Sequence, residues 1–82
     1  MDNVEVINHM IDFSKIPKIS LKAARVNAGL NQVEAANKIN VDVATLIRWE
    51  KDSSIVQAKY FSIIEKAYNY PSDLIFFGTS TS

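Results

Sequence analysis

Three features of the sequence predict an all-α domain of five short helices. Apolar residues recur three and four positions apart through most of the 82 residues, which is the period of an amphipathic helix. Glycine, proline and Asn/Asp/Ser clusters divide the chain into segments of about eight to fourteen residues, the usual length of globular helices. Residues that cap helices stand at the start of several of these segments. A chain of this length is expected to form one domain with a thin core.

Composition argues against several classes of protein. The chain is 48% hydrophobic and 22% charged, which is too apolar for a disordered chain. Its longest apolar run, Leu74 to Phe77, is too short to span a membrane, and early acidic residues such as Asp2 do not fit a secretory signal. We therefore expect a cytoplasmic protein. Without cysteine and with the single histidine His9, we expect no metal, no cofactor and no enzymatic activity.

Charge is balanced overall but not along the chain. Nine basic residues offset nine acidic ones, whereas residues 20–51 carry five basic and three acidic residues. The weak positive bias in the middle of the chain is compatible with a phosphate-binding face.

The first predicted helix runs from about Leu21 to Ala28. Ser20 is suited to cap its start, and Gly29 is suited to end it in the left-handed conformation.

Two further helices follow with strong start signals. One runs from about Gln32 to Ile39, where Asn31 is the expected N-cap and Glu34 is placed to bond back to the Asn31 amide. The next runs from about Val43 to Lys51, with Asp42 as its expected N-cap.

The fourth helix is predicted from about Gln57 to Tyr68. The fifth helix is short and is predicted to start near Pro71, because proline suits a first helical turn. It carries Leu74, Ile75 and Phe77.

The domain is predicted to span residues 20–78, between an N-terminal extension (1–19) and a disordered tail (79–82). In the extension, an apolar stripe at helical spacing favours a helix, although its β-branched residues also fit a short strand. The stripe consists of Val6, Ile7, Met10 and Ile11.

The connection between the second and third helices indicates a helix-turn-helix. About three residues after Ile39 join the two helices, and so tight a turn forces them to cross steeply. Asn40 tolerates the left-handed conformation that such a turn needs. Ala36 permits close approach of the helices, while Val41 and Leu46 join Ile39 as an apolar plug beneath the turn.

These residues resemble the Cro/CI-type (Xre) helix-turn-helix family of transcriptional regulators. The usual pattern of that family is Thr-Gln-x-Glu-Leu-Ala, then Gly-Val-Ser, then Thr-Ile-x-x-Trp-Glu-x-Gly. The chain has Asn31-Gln32-Val33-Glu34-Ala35-Ala36, then Asn40-Val41-Asp42, then Thr45-Leu46-Ile47-Arg48-Trp49-Glu50-Lys51-Asp52. The first helix also looks like that of regulators from Gram-positive phages and mobile elements.

The resemblance covers about residues 20–78 and implies a five-helix, lambda-repressor-like fold. Four of the departures from the pattern affect the core, the turn or a helix end. Ala35 replaces a leucine, Asn40 replaces the turn glycine, Asp42 replaces a Ser/Thr cap, and Asp52 replaces a glycine.

The resemblance also implies a role for each site residue. Arg48 would read guanine bidentately, and Gln32 would anchor the third helix through a backbone or base-edge contact. Arg25 and Glu50 match a pair that forms a structural salt bridge in relatives. The full expected DNA-binding set is Asn31, Gln32, Asp42, Val43, Ala44, Thr45, Ile47, Arg48 and Lys51.

The expected function is sequence-specific binding of a double-stranded DNA operator by a homodimer, as in a phage-type repressor or Cro-like protein. A single module of this size makes few contacts, and two copies on a palindrome solve that problem. Dimer contacts are expected from Ile75, Phe76 and Phe77, because a short fifth helix cannot bury all three. The alternative is a protein-interaction module or antitoxin, since Val43, Ala44 and Ile47 make the third helix unusually apolar.

Overall fold

The computed structural model of the chain describes residues 16–78. The predictions for the stripe before residue 16 and for the tail at 79–82 lie outside the described residues. Within residues 16–78 there are four α-helices, rather than the predicted five, and one two-stranded sheet. The helices are α1 (Leu21–Asn27), α2 (Gln32–Ile39), α3 (Val43–Lys51) and α4 (Phe61–Tyr68), and the strands are β1 (Ile19–Ser20) and β2 (Ile75–Phe76).

The first three helices begin where the capping residues predict. Ser20 Oγ accepts a hydrogen bond from the Ala23 amide at 3.0 Å, and Asp42 Oδ1 accepts one from the Thr45 amide at 2.7 Å. α2 and α3 have the predicted bounds, while α1 ends at Asn27, one residue early. Gly29 follows with a φ of 76°, the left-handed conformation that glycine adopts without steric cost.

The fourth helix is shorter than its pattern predicts. Residues Ala58–Tyr60 form a 3-10 turn, and regular α-helix begins only at Phe61. Gln57 precedes this turn without a side-chain cap hydrogen bond. Backbone amides at the start of this segment therefore donate to carbonyl groups three residues earlier, which is the tighter 3-10 pattern.

The predicted fifth helix is wrong. A 3-10 turn over Ser72–Leu74 leads into β2, which pairs in parallel with β1 so that Ile75 lies opposite Ile19. Branched and aromatic side chains favour extended backbone, and in this arrangement Ile75 is 1% exposed. The extended chain thus buries in the core a side chain that had been assigned to a short amphipathic helix.

One hydrophobic core joins all four helices and β2. Its largest fully buried side chains are Leu21, Ile39, Leu46, Ile64, Tyr68 and Ile75. Ala35 and Ala36 are also buried, and their small side chains allow α2 to pack closely against α3 and α4. Trp49 closes the core beside Tyr60, with ring centroids 4.8 Å apart in an edge-to-face arrangement. Because the core fixes α2 and α3 relative to each other, it also fixes the surface they share.

Candidate nucleic-acid interface

The turn between α2 and α3 has the backbone conformation that its sequence predicts. Asn40 has a φ of 62° and a ψ of 44°, in the left-handed region. The Val41 amide then donates to the Ala36 carbonyl at 3.0 Å. Ile39 and Leu46 are fully buried on either side of the turn. This turn redirects the chain within three residues and holds α3 across α2.

α3 presents one face to the core and the opposite face to solvent. Leu46 and Trp49 are the buried residues of the helix. The solvent side carries aliphatic residues near its start and basic residues near its end. Its members are Val43, Ala44, Ile47, Arg48 and Lys51; Ile47 is half-buried and the other four are exposed.

Polar side chains at the start of α3 hold one another in place. The Asp42 carboxylate caps the helix by accepting from the Thr45 amide, and Arg48 Nη2 donates to Thr45 Oγ1 at 3.1 Å. The hydrogen bond from the Thr45 amide lowers the pKa of the Asp42 carboxyl, and the charge of Arg48 contributes in the same direction. A negative charge therefore stands at the beginning of this helix at neutral pH.

The start of α2 forms a reciprocal capping box. Asn31 Oδ1 accepts from the Glu34 amide at 2.8 Å, and Glu34 Oε1 accepts from the Asn31 amide at 2.9 Å. These bonds engage the backbone amides of Asn31 and Glu34. The amides of Gln32 and Val33 have no partner within the helix, because they lie in its first turn.

The Gln32 side chain anchors α3 by a route that the sequence pattern did not specify. Its Nε2 donates to Glu50 Oε1 at 3.1 Å, so the start of α2 is tied to the end of α3. The expected alternatives were a backbone or a base-edge contact. The sequence carries no spacing rule that joins positions 32 and 50, so only the tertiary structure reveals this bond.

Glu50 also binds Arg25, which links α1 to the same point. Arg25 Nε lies 2.6 Å from Glu50 Oε2, and Arg25 Nη2 lies 3.3 Å from Glu50 Oε1. Arg25 Nη1 donates to the Leu30 carbonyl at 2.9 Å. The two charged side chains are only 9% and 5% exposed. The hydrogen bond to Glu50 raises the pKa of Arg25 above its ordinary value, and Arg25 compensates the charge of Glu50 where α3 ends.

The three residues expected to form dimer contacts have separate environments. Ile75 lies in the core of its own chain, which corrects its assignment to a dimer surface. Phe77 is half-buried and stacks on Phe61, with ring centroids 4.1 Å apart. Phe76 is 43% exposed. Of the three, Phe76 is the side chain that β2 directs to solvent.

Ser53 has a structural role that sequence reasoning missed. Its hydroxyl oxygen lies 2.9 Å from the Phe76 carbonyl oxygen and accepts a hydrogen bond from the Gly78 amide at 3.1 Å. The buried hydroxyl thereby joins the loop after α3 to the end of β2. The sequence around Ser53 indicated only a break between helices.

A family model described as helix-turn-helix matches residues 21–75. The match begins at the first residue of α1 and ends at the first residue of β2, so it includes the turn, both flanking helices and the Arg25–Glu50 pair. Comparisons with curated proteins and with solved structures gave no match. Within residues 16–78, no cluster of three or more His, Cys, Asp or Glu residues could hold a metal ion. In the same part of the chain, no helix is long and apolar enough to cross a membrane.

Proposed function

We propose, on the premise that this chain belongs to the helix-turn-helix family of DNA-binding transcription regulators, that it recognises a specific operator through α3. The second helix of such a motif lies in the major groove of double-stranded DNA. The observation that carries the proposal is the fixed, solvent-facing side of α3. Its start is capped by Asp42, and its end is bonded to α1 and α2 through Glu50.

The residues of this surface suit different parts of the DNA. Arg48 is exposed and has the geometry to bind guanine O6 and N7 together. Thr45 and Lys51 are assigned to phosphates, as is the start of α2 at Asn31 and Gln32 through its free backbone amides. These phosphate contacts would set the register of α3, while the base contacts would determine which sequence is bound.

The proposed regulator acts as a homodimer on a palindromic operator. Two copies place two recognition helices about one DNA turn apart, which multiplies the few contacts that one module makes. The exposed ring of Phe76 is the proposed centre of the protein–protein contact. We assign the protein to small cytoplasmic repressors of the phage or Cro-like type, acting without a cofactor and without enzymatic activity.

A second candidate function is binding of a protein partner, as in an antitoxin. Two observations favour it: the outer face of α3 carries Val43 and Ala44 exposed, and the formal net charge of the chain is zero. Apolar surface patches are frequent at protein contacts.

Selection of binding sites from random-sequence DNA tests the DNA-binding proposal. The enriched site should bind far more tightly than scrambled DNA of equal length, and the affinity should fall with added salt as phosphate contacts are screened. Failure to enrich any sequence at low salt would refute operator recognition and leave the protein-partner function.

Replacing Arg48 tests the assigned contact within that site. Arg48→Ala should weaken operator binding by about 1–3 kcal/mol and relax the preference at one base pair. Lys66→Ala is the matched control, because Lys66 is an exposed basic residue on α4. Equal losses on operator and scrambled DNA would instead assign Arg48 to a phosphate.

A further inference from the structure

The outer face of α3 is poor in groups that can read bases by hydrogen bonding. Val43 and Ala44 are exposed and Ile47 is half-buried, and none of these side chains donates or accepts a hydrogen bond. Val43 alone leaves 37% of its surface open. Three of the five residues on this face are therefore aliphatic.

The polar groups beside them are largely engaged in hydrogen bonds within the protein. The Asp42 carboxylate accepts from the Thr45 amide, and the Thr45 hydroxyl accepts from Arg48. Glu50 is held by Arg25 and Gln32. Arg48 retains further N–H groups on its guanidinium. Because Lys51 is assigned to a phosphate, Arg48 is the strong hydrogen-bond reader beside the aliphatic residues.

We propose that the operator is read chiefly through the 5-methyl groups of neighbouring thymines, flanked by one guanine that binds Arg48. This inference rests on the proposed function. In the major groove, the thymine methyl is the apolar group that distinguishes one base pair from another. Val43 and Ile47 are separated by about 6 Å along the helix axis, so the two side chains reach different base pairs rather than one.

Removing methyl groups from the DNA tests this reading without changing the base pairing. In the operator obtained by selection, each thymine is replaced in turn by deoxyuridine, and the dissociation constant is measured by fluorescence anisotropy. Burial of one methyl group corresponds to about fourfold tighter binding. Single replacements at the contacted positions should weaken binding by about that factor, and replacement of all contacted thymines should multiply the losses.

A paired substitution in the protein locates the contact. Val43→Ala should weaken binding to the thymine operator, and it should abolish the sensitivity to deoxyuridine at one position. Ile47→Ala should do the same at another position, with thermal unfolding used to confirm that this half-buried site still folds. Val26→Ala is the matched control, since Val26 is 58% exposed on α1 and should leave every deoxyuridine effect intact.

The outcomes separate this inference from the function on which it rests. An operator that keeps its full affinity when its thymines are replaced by deoxyuridine overturns methyl reading while leaving operator recognition in place. Deoxyuridine effects that persist unchanged in both α3 variants also overturn it, because the methyl groups would then act through DNA shape. If selection enriches no DNA at all, the proposed function itself fails.

Discussion

Asp42 combines a favourable role in folding with an unfavourable charge for DNA binding. Its carboxylate caps α3 through the Thr45 amide, but the same charge would face phosphates in the proposed complex. Asp42→Asn should keep the cap, because asparagine caps helices about as well as aspartate. We expect little change in the free energy of unfolding at pH 7 and tighter DNA binding, measured by urea titration and by anisotropy.

The capping bond also gives Asp42 a defined pH dependence. Its pKa is lowered in the folded protein from the ordinary value of 3.8, so its contribution to stability is present above that value. The contribution is lost as the pH falls through the folded-state pKa. Asp42→Asn should remove this part of the acid destabilisation below about pH 4. An acid unfolding curve identical to that of the wild type would contradict the assignment.

Tyr68 carries a buried hydroxyl that has no hydrogen-bond partner among the described residues. Because such a group is desolvated without compensation, Tyr68→Phe should leave stability unchanged or raise it slightly. Burial raises the pKa of Tyr68 to about 12. The neutral phenol is thus favoured in the folded state, and that stability is present below pH 10 and lost as the pH rises toward 12.

Urea unfolding of wild type and Tyr68→Phe at pH 7 and at pH 11 checks both statements. The variant should lose less stability than the wild type between the two pH values. A variant that is destabilised by more than about 1 kcal/mol at pH 7 would indicate that the hydroxyl makes a stabilising bond.

Local signals were sufficient for the elements that begin with a cap. Ser20, Asn31 and Asp42 marked three helix starts, and each makes the expected bond to a backbone amide three residues later. Asn40 was placed in the turn because few residues other than glycine tolerate a left-handed backbone. These features depend on residues that are close in sequence, which is why the sequence alone predicts them.

Elements that depend on distant residues were not predictable in the same way. Ile75 and Phe76 have apolar side chains that fit a short helix or a short strand, and the choice is made by pairing with Ile19 and Ser20 at the other end of the domain. The bond between Gln32 and Glu50 likewise joins separate helices. The family resemblance supplied the Arg25–Glu50 pair, but periodicity and composition did not.

The Arg25–Glu50 pair should stabilise the arrangement of α1 and α3. Removing one partner leaves a buried charge without compensation, so Arg25→Met or Glu50→Gln should cost about 3 kcal/mol or more. The double variant should lose less than the sum of the two single losses. A double-mutant cycle by urea unfolding measures this coupling, and strict additivity would show that the pair contributes no interaction energy.

In the folded domain, Phe76 on β2 remains exposed to solvent. If Phe76 lies at the centre of a homodimer, the wild type should sediment as a dimer at micromolar concentration and Phe76→Asp should sediment as a monomer. Ile63→Asp is the matched control, because Ile63 is 40% exposed on α4. The control variant should remain a dimer, and far-UV circular dichroism should show that both variants fold.

A monomeric wild type in this experiment would exclude a dimer formed before DNA binding. Binding to an isolated operator half-site, with no gain from the second half, would also exclude dimerisation on DNA. These two measurements separate an assembled regulator from one that assembles on its operator.

The pairing of β1 with β2 joins residues from the two ends of the domain, which has a consequence expected for folding. Residues 19 and 75 are adjacent in the sheet, whereas each helix closes contacts only three or four residues apart. Loop closure between distant residues costs more chain entropy and is slower than helix formation. We therefore expect α2 and α3 to assemble first and the strands to join last. Because the chain contains no cysteine, dyes placed on cysteines introduced at the exposed positions Lys18 and Asp73 would report this final step by energy transfer.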